Sequence, residues 1–284
     1  MRVSNSLAGP GLALLSSGMW GSADFFGGLV SKRLPAMAVV GWSQAVALLV
    51  GAVAAVVTTA YTAPTGWWPW ALLAGVSGSV GLVAFYAALA NGTMGVVSPI
   101  AGLGAVVPVA AGMLAGERPS GLQVTGILLA LAGTALASGP EVIGRGSRAG
   151  LRPVLLALVA AIAFGFALLA IGRGSEFSAL MTLVGVRATS VTGFLLVAVS
   201  LRTLGGVVTR DVPALAGIGL ADMAANLCFG VATTMGLLSV TAVLGSLYPV
   251  ATVLLARLVL KERLLRVQWV GIAVALAGVG LIAA

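Results

Sequence analysis

TMGVVSPIAGLGAVVPVA at residues 93–110 and TMGLLSVTAVLGSLYPVA at residues 234–251 agree at ten of eighteen positions. Further along, ERPSGLQVTGILLALAG (117–133) and ERLLRVQWVGIAVALAG (262–278) agree at nine of seventeen. A chain that writes the same two segments twice, in the same order, is built from two like halves. The offset between the halves grows from 141 to 145 residues across these blocks. Four residues are about one helical turn, so the later copy can lengthen a helix without rotating its packing face. A weaker echo pairs WGSADFF (20–26) with FGFALLA (164–170).

The segments around these repeats are too apolar for water. Of 284 residues, 60% are hydrophobic and 8% charged, against about a quarter charged in soluble domains. Mean hydropathy is +1.15. The chain therefore reads as an all-α integral membrane protein. Apolar stretches of spanning length occur ten times, at about 8–30, 36–59, 68–90, 96–115, 120–138, 153–172, 178–201, 212–235, 239–260 and 265–283. The N-terminal stretch is long for a signal-peptide core and is read as the first span. The expected organisation is a five-helix repeat at 1–139, a linker at 140–152 and a second repeat at 153–284. Five is odd, so the second half enters the membrane from the opposite side. Inverted repeats of this kind are the common plan of secondary transporters, with the substrate site between the halves.

The formal charge of +8 sits mostly in short gaps between spans, without a basic run, so nucleic acid is not an expected partner. Ten Lys and Arg fall on the side of the first, odd-numbered loops, from Lys32 and Arg33 through Arg145, Arg148, Arg152, Arg202 and Arg210 to Lys261, Arg263 and Arg266. Arg2, Arg118 and Arg173 fall on the other side. By the positive-inside rule both termini lie outside. No histidine and a single cysteine, Cys228, exclude an intrachain disulfide and any His- or paired-Cys metal site. No metal or cofactor is expected.

WGSADFFGGLVSKRLP (20–35) in span one resembles the tryptophan–glycine opening of the EamA domain. So does the order found once per half: a proline-bearing helix, a Glu-Arg turn, and a helix with Q…G…ALAG. The whole chain is similar to ten-helix members of the drug/metabolite transporter superfamily, with two EamA domains in tandem. That resemblance implies a multi-pass protein of a bacterial inner-membrane type with both termini inside, and an exporter of metabolites, amino acids or drugs. Small multidrug members carry a proton-exchanging Glu in their first helix. This chain has Asp24 there, shifted along the helix. Aromatic-amino-acid exporters surround the proline of their fourth helix with aromatics, whereas this chain reads GLGAVVPVAAG (102–112).

Charges inside spans are costly, about 2.5–3.5 kcal/mol each at the bilayer centre on insertion scales, and they direct attention to a site. Arg257 lies close enough to Lys261 to reach the interface. Asp222 and Arg187 lie about ten and fourteen residues from the loop joining spans seven and eight, within reach of an ion pair. Such a pair is either a structural clamp or a place where substrate or a proton competes. Asp222, Asn226, Phe229 and Thr233 share a face of span eight, and Ser17, Trp20, Asp24, Gly27 or Gly28, and Ser31 a face of span one. Asp24 has no cation in its own span and is suited to carry a proton, unless a neighbouring helix end holds it. Trp20, Trp42, Tyr86 and Tyr248 are candidate cavity aromatics, while Trp67, Trp68 and Trp70 read as an interfacial belt. Pro99, Pro108 and Pro249 should kink spans four and nine. Glu117 and Glu262 read as structural, favouring the starts of the helices that follow them. The substrate-binding set is then Trp20, Asp24, Gln44, Tyr86, Arg187, Asp222, Asn226 and Tyr248, with Asp24 and Asp222 as proton carriers.

These readings converge on a secondary transporter that exports a small metabolite such as an amino acid by alternating access, as a monomer or weak homodimer in lipid. Multidrug or cation efflux is the alternative, and a channel or a structural membrane subunit a further one. A membrane enzyme lacks convergent nucleophile, base or metal ligands in this sequence.

Overall fold

A computed structural model of the chain describes residues 8–92, 94–137, 151–261 and 265–283. Most of the expected linker (140–150), Glu262, Arg2, Arg145, Arg148 and Arg263 lie outside the described residues. The helices are α1 (Ala8–Val30), α2 (Ala36–Val57), α3 (Trp68–Asn91), α4 (Met94–Gly102), α5 (Val106–Leu114), α6 (Gly121–Ala137), α7 (Leu151–Leu201), α8 (Val212–Thr233), α9 (Leu238–Gly245), α10 (Tyr248–Leu260) and α11 (Arg266–Ala283). No strand occurs among the described residues. Among the described residues, six segments are long and apolar enough to cross a membrane by length and composition. Helices close their own hydrogen bonds, which lipid cannot do for them. Large apolar side chains such as Leu114, Val57 and Val199 face outward, while the interior is built largely from Ala, Gly and Ser.

Helix α7 is continuous in sequence but not in geometry. Ser178, at φ −165° and ψ 112°, breaks it into two limbs. Its Oγ accepts the Met181 N–H at 3.3 Å, capping the second limb. Helix α3 fixes the relation of the limbs. Going up α3, Trp70 meets Gly174, Gly78 meets Ala167 and Gly81 meets Phe164, while Ala71 meets Gly185 and Gly75 meets Thr189. The limbs therefore run antiparallel, with α3 along both.

Two helices are interrupted, and at the same place in the repeat. A 3-10 turn, Leu103–Ala105, separates α4 from α5, and Ser246 and Leu247 separate α9 from α10. Pro108 and Pro249 lie just beyond these breaks, as the kinks expected from the sequence require. Helix α10 has 13 residues and α5 has 9, so the growth in repeat offset appears as one added turn.

The repeats lock together through glycines. A Cβ on Gly21 of α1 would lie 2.6 Å from the Tyr248 carbonyl oxygen, at the break in the second half. A Cβ on Gly165 of α7, its counterpart in the echo, would lie 2.5 Å from the Gly104 oxygen, at the break in the first half. The breaks also meet each other, since Gly102 abuts Pro249 and the Ser246 oxygen. At the far edge α6 and α11 pack backbone on backbone. Gly126 faces Gly278, Gly133 faces Gly271 and Ala275, and the order of these contacts is antiparallel. Small residues allow this approach, and in lipid such packing is the main source of helix association.

Glu117 corrects a sequence expectation. It does not serve the helix that follows it. Its Oε1 and Oε2 accept the Leu238 and Ser239 N–H groups at 2.8 and 3.0 Å, closing the start of α9 in the other half. Helix α6 closes itself, because Ser120 Oγ accepts the Gln123 N–H and Gln123 Oε1 the Ser120 N–H. The α6 start is exposed to solvent and local polar groups suffice there. The α9 start is buried, with Leu238 and Ser239 both in the interior, and needs a charged acceptor. Trp67 and Trp70 also depart from a simple belt. They pack on Gly185 and Gly174, leaving Trp68 as the exposed member.

If the α6–α11 contact holds the repeats together, Gly133→Val, whose Cβ would start 2.3 Å from the Ala275 nitrogen, should lower stability by about 1–3 kcal/mol or more. Gly280→Ala, facing open space, should leave the melting temperature in detergent unchanged. Equal melting temperatures for both variants would contradict the contact.

Candidate functional site

Where α1, α2, α3, α7, α8 and the α9–α10 break converge, a cavity of ≈ 80 Å³ remains. Its apolar walls come from Leu82, Phe164, Leu168, Ile171 and Val186, and its polar groups from Trp20, Asp24, Gln44, Arg187, Asp222, Asn226 and Tyr248. A cavity of this size holds a few waters or a compact solute. Trp20 and Asp24 are one turn apart on α1, and Arg187 and Ser190 are one turn apart on α7. Ser190 and Ser246 also line the space, and neither stood out in the sequence. The signal was there for Ser246, which occupies the break between α9 and α10.

Asp222 is the centre. It is 7% exposed and Arg187 3%, and Arg187 Nη2 lies 3.0 Å from Asp222 Oδ2. Gln44 bridges the pair. Its Oε1 accepts from Arg187 Nη1 at 2.6 Å and its Nε2 donates to Asp222 Oδ2 at 3.1 Å. The other carboxylate oxygen accepts from Trp20 Nε1 at 3.2 Å and Asn226 Nδ2 at 2.9 Å. Asn226 Nδ2 also reaches the Asp222 backbone oxygen at 2.7 Å, one turn back along α8. Four elements thus supply the shell of one carboxylate. Two features leave the network open on the guanidinium side. Nη2 is close to Asp222 but off the hydrogen-bond line, and Nε has no partner. The electrostatic contact is real, but Arg187 retains directional donors.

Asp24 is 6% exposed and lines the cavity, with no hydrogen bond or ion pair to any described residue. The helix-end partner that would make it purely structural is absent among the described residues. Tyr248 lines the cavity with its buried hydroxyl unbonded.

Two expected aromatics stand elsewhere. Tyr86 is buried but does not line the cavity, because its ring fills the space left by Gly27, where a Cβ would lie 2.2 Å from the ring. Trp42 is 38% exposed and lines a separate groove. It lies two residues before Gln44, and that spacing turns it to another side of α2. Arg257 stacks over the Trp269 ring at 5.9 Å, and neither residue lines the cavity. Among the described residues no cluster of three or more His, Cys, Asp or Glu could hold a metal.

The sequence matches the EamA-like transporter family twice, over residues 7–139 and 151–284. Among solved structures, one described only as the crystal structure of a protein is similar over 99% of this chain and 96% of that chain. Its TM-score is 0.74 at 20% identity, a likeness of fold. No curated protein matches the sequence.

The ion pair makes a measurable claim. Removing one partner of a buried pair leaves an uncompensated charge, a loss of about 3–5 kcal/mol. Asp222→Ala and Arg187→Ala should each lower the unfolding midpoint, and the double variant should recover part of that loss. Additive losses in a double-mutant cycle would show the two side chains to be energetically independent.

Proposed function

The chain belongs to the EamA-like transporter family, and from that premise we propose that this membrane transporter is a secondary transporter working by alternating access. It exports a small metabolite from a bacterial-type inner membrane and couples that movement to protons at Asp24. The observation that carries the reading is the placement of the Asp222–Arg187–Gln44 network and an unpartnered Asp24 in one cavity, at the crossing of the repeats. Enzymatic chemistry is not part of the proposal, since these groups suit binding and charge transfer rather than attack on a bond.

The architecture proposed with it is ten spans in two inverted halves. Helices α1, α2, α3, α6, α8 and α11, the two limbs of α7, and the two interrupted helices supply the ten. Antiparallel α6–α11 packing between repeat-equivalent glycines is what a pseudo-two-fold axis in the membrane plane produces. The exchange of Gly21 and Gly165 against the opposite half's break fits the same axis. Interrupted helices at the site free backbone groups where they line a cavity, and they are natural points of flexure between inward- and outward-open states.

Within the site, Arg187 has unused donors for an anionic or carbonyl group of the substrate, and Asp24 is a carboxylate that a proton or a substrate amine neutralises. A carboxylate open to the cavity equally favours a purely cationic substrate, and this is the observation behind a second reading as cation efflux. Trp20, Asn226 and Tyr248 position the substrate, and Asp222 is a second proton-accepting group.

Reconstituted into liposomes, the protein should show saturable uptake and counterflow for a substrate found by panel screening, and a pH gradient should drive accumulation. In Asp24→Asn, gradient-driven accumulation should disappear while counterflow persists, because an amide cannot carry the proton. Unchanged gradient-driven flux would remove Asp24 from the coupling step, and flux linear in concentration would indicate a channel instead.

A further inference from the structure

Helix α2 and the second limb of α7 run antiparallel and part to leave a groove of ≈ 490 Å³ on the outer surface. Its floor is the Gly41–Phe194 contact. It is lined from Pro35, just before α2, to Ala45 on α2, and from Val191 to Leu201 on α7. Ten helical residues rise about 15 Å, half of the roughly 30 Å hydrocarbon core. The groove is therefore about as long as one leaflet's hydrocarbon is thick.

Its walls ask nothing of a polar ligand. The two polar groups in the lining are already engaged, with Trp42 Nε1 donating to the Leu204 oxygen at 3.3 Å and Thr203 Oγ1 accepting the Gly205 N–H at 3.1 Å. The loop that makes these contacts is held over the start of α2 by Gly205, at φ +79°, against Ala38.

The mouth is different. The two loops bounding it, residues 31–35 and 202–211, carry Lys32, Arg33, Arg202 and Arg210. Their one acid, Asp211, accepts from Arg33. Lys32 and Arg202 are exposed, and neither has an ion pair with any described residue. Arg202 stands between Leu201 and Thr203, which both line the groove.

We propose that this groove is a binding site for an anionic phospholipid of the leaflet on that side. One acyl chain lies between α2 and the second limb of α7, and the headgroup phosphate rests on Arg202 and Lys32. Length, apolarity and the cationic rim each match one part of such a molecule. A neutral lipid satisfies only the first two. The inference needs the chain to be in a membrane but not to transport, so it stands apart from the alternating-access reading. Trp42 in the wall is the natural probe.

Purified protein in mixed micelles would be titrated with bromine-labelled phosphatidylglycerol or bromine-labelled phosphatidylcholine. The Trp42 signal is taken as the difference between the native protein and Trp42→Phe. Brominated phosphatidylglycerol should half-quench Trp42 at a mole fraction at least about fivefold lower than phosphatidylcholine, the preference expected from one or two rim cations. Arg202→Gln with Lys32→Gln, both at exposed positions, should abolish that preference while leaving phosphatidylcholine quenching unchanged. Ala198→Phe, filling the α7 wall, should reduce quenching by both lipids. Equal curves for the two headgroups in native protein would overturn the proposal, as would a preference that survives loss of the rim cations. Shielding of Trp42 that depends on protein concentration and not on lipid would assign the groove to a second copy of the chain.

Discussion

Asp222 is a carboxylate in a bundle whose outer surface is lipid-like, and a charge there has to be matched by protein groups because no solvent will do it. Its three hydrogen-bond donors, Trp20, Gln44 and Asn226, and its ion-pair partner Arg187 come from α1, α2, α8 and α7. Satisfying one residue therefore fixes the approach of four helices from both repeats. Gln44 is the joint in this arrangement. It presents its oxygen to the guanidinium and its amide to the carboxylate, so that each of the three side chains touches the other two.

Such a centre requires helices to come close, and the chain meets that need with absent side chains rather than with fitted ones. Gly21 and Gly165 let the first helix of each repeat rest on the other repeat's interruption. The breaks themselves are where Ser246 and Tyr248 enter the cavity wall. The repeat is thus visible as reciprocity. What one half offers as a gap, the other fills with backbone.

Most of this scaffold was legible in the sequence, because lipid imposes a length on apolar segments and the repeat marks equivalent positions. The end of α1 at Val30 and the proximity of Arg187 to Asp222 followed from counting alone. The second limb of α7 was legible too, since the seventh span was expected at 178–201 and the helix breaks at Ser178 and ends at Leu201, whereas the first limb runs on past its expected end at 172. Tyr86 and Trp42 could not be placed from composition. Both are aromatics near the right depth, and rotation about the helix decides which faces the cavity. Glu117 was misread for a related reason. A nearby helix start in sequence is not the nearest unsatisfied one in space, and its true partner lies 121 residues away.

That distance has a consequence for assembly. Helix α9 has eight residues, too few to form a stable helix alone, and its buried start depends on an acceptor from the first repeat. Ribosomes deliver Glu117 long before Leu238, so the acceptor is in place when α9 emerges. The first half waits as a partly finished template, with a carboxylate whose donors have not yet been made, and the second half completes it. A second half synthesised without the first would lack the carboxylate that closes the start of α9. Split into two genes, the repeats would have to be co-expressed for the later one to accumulate.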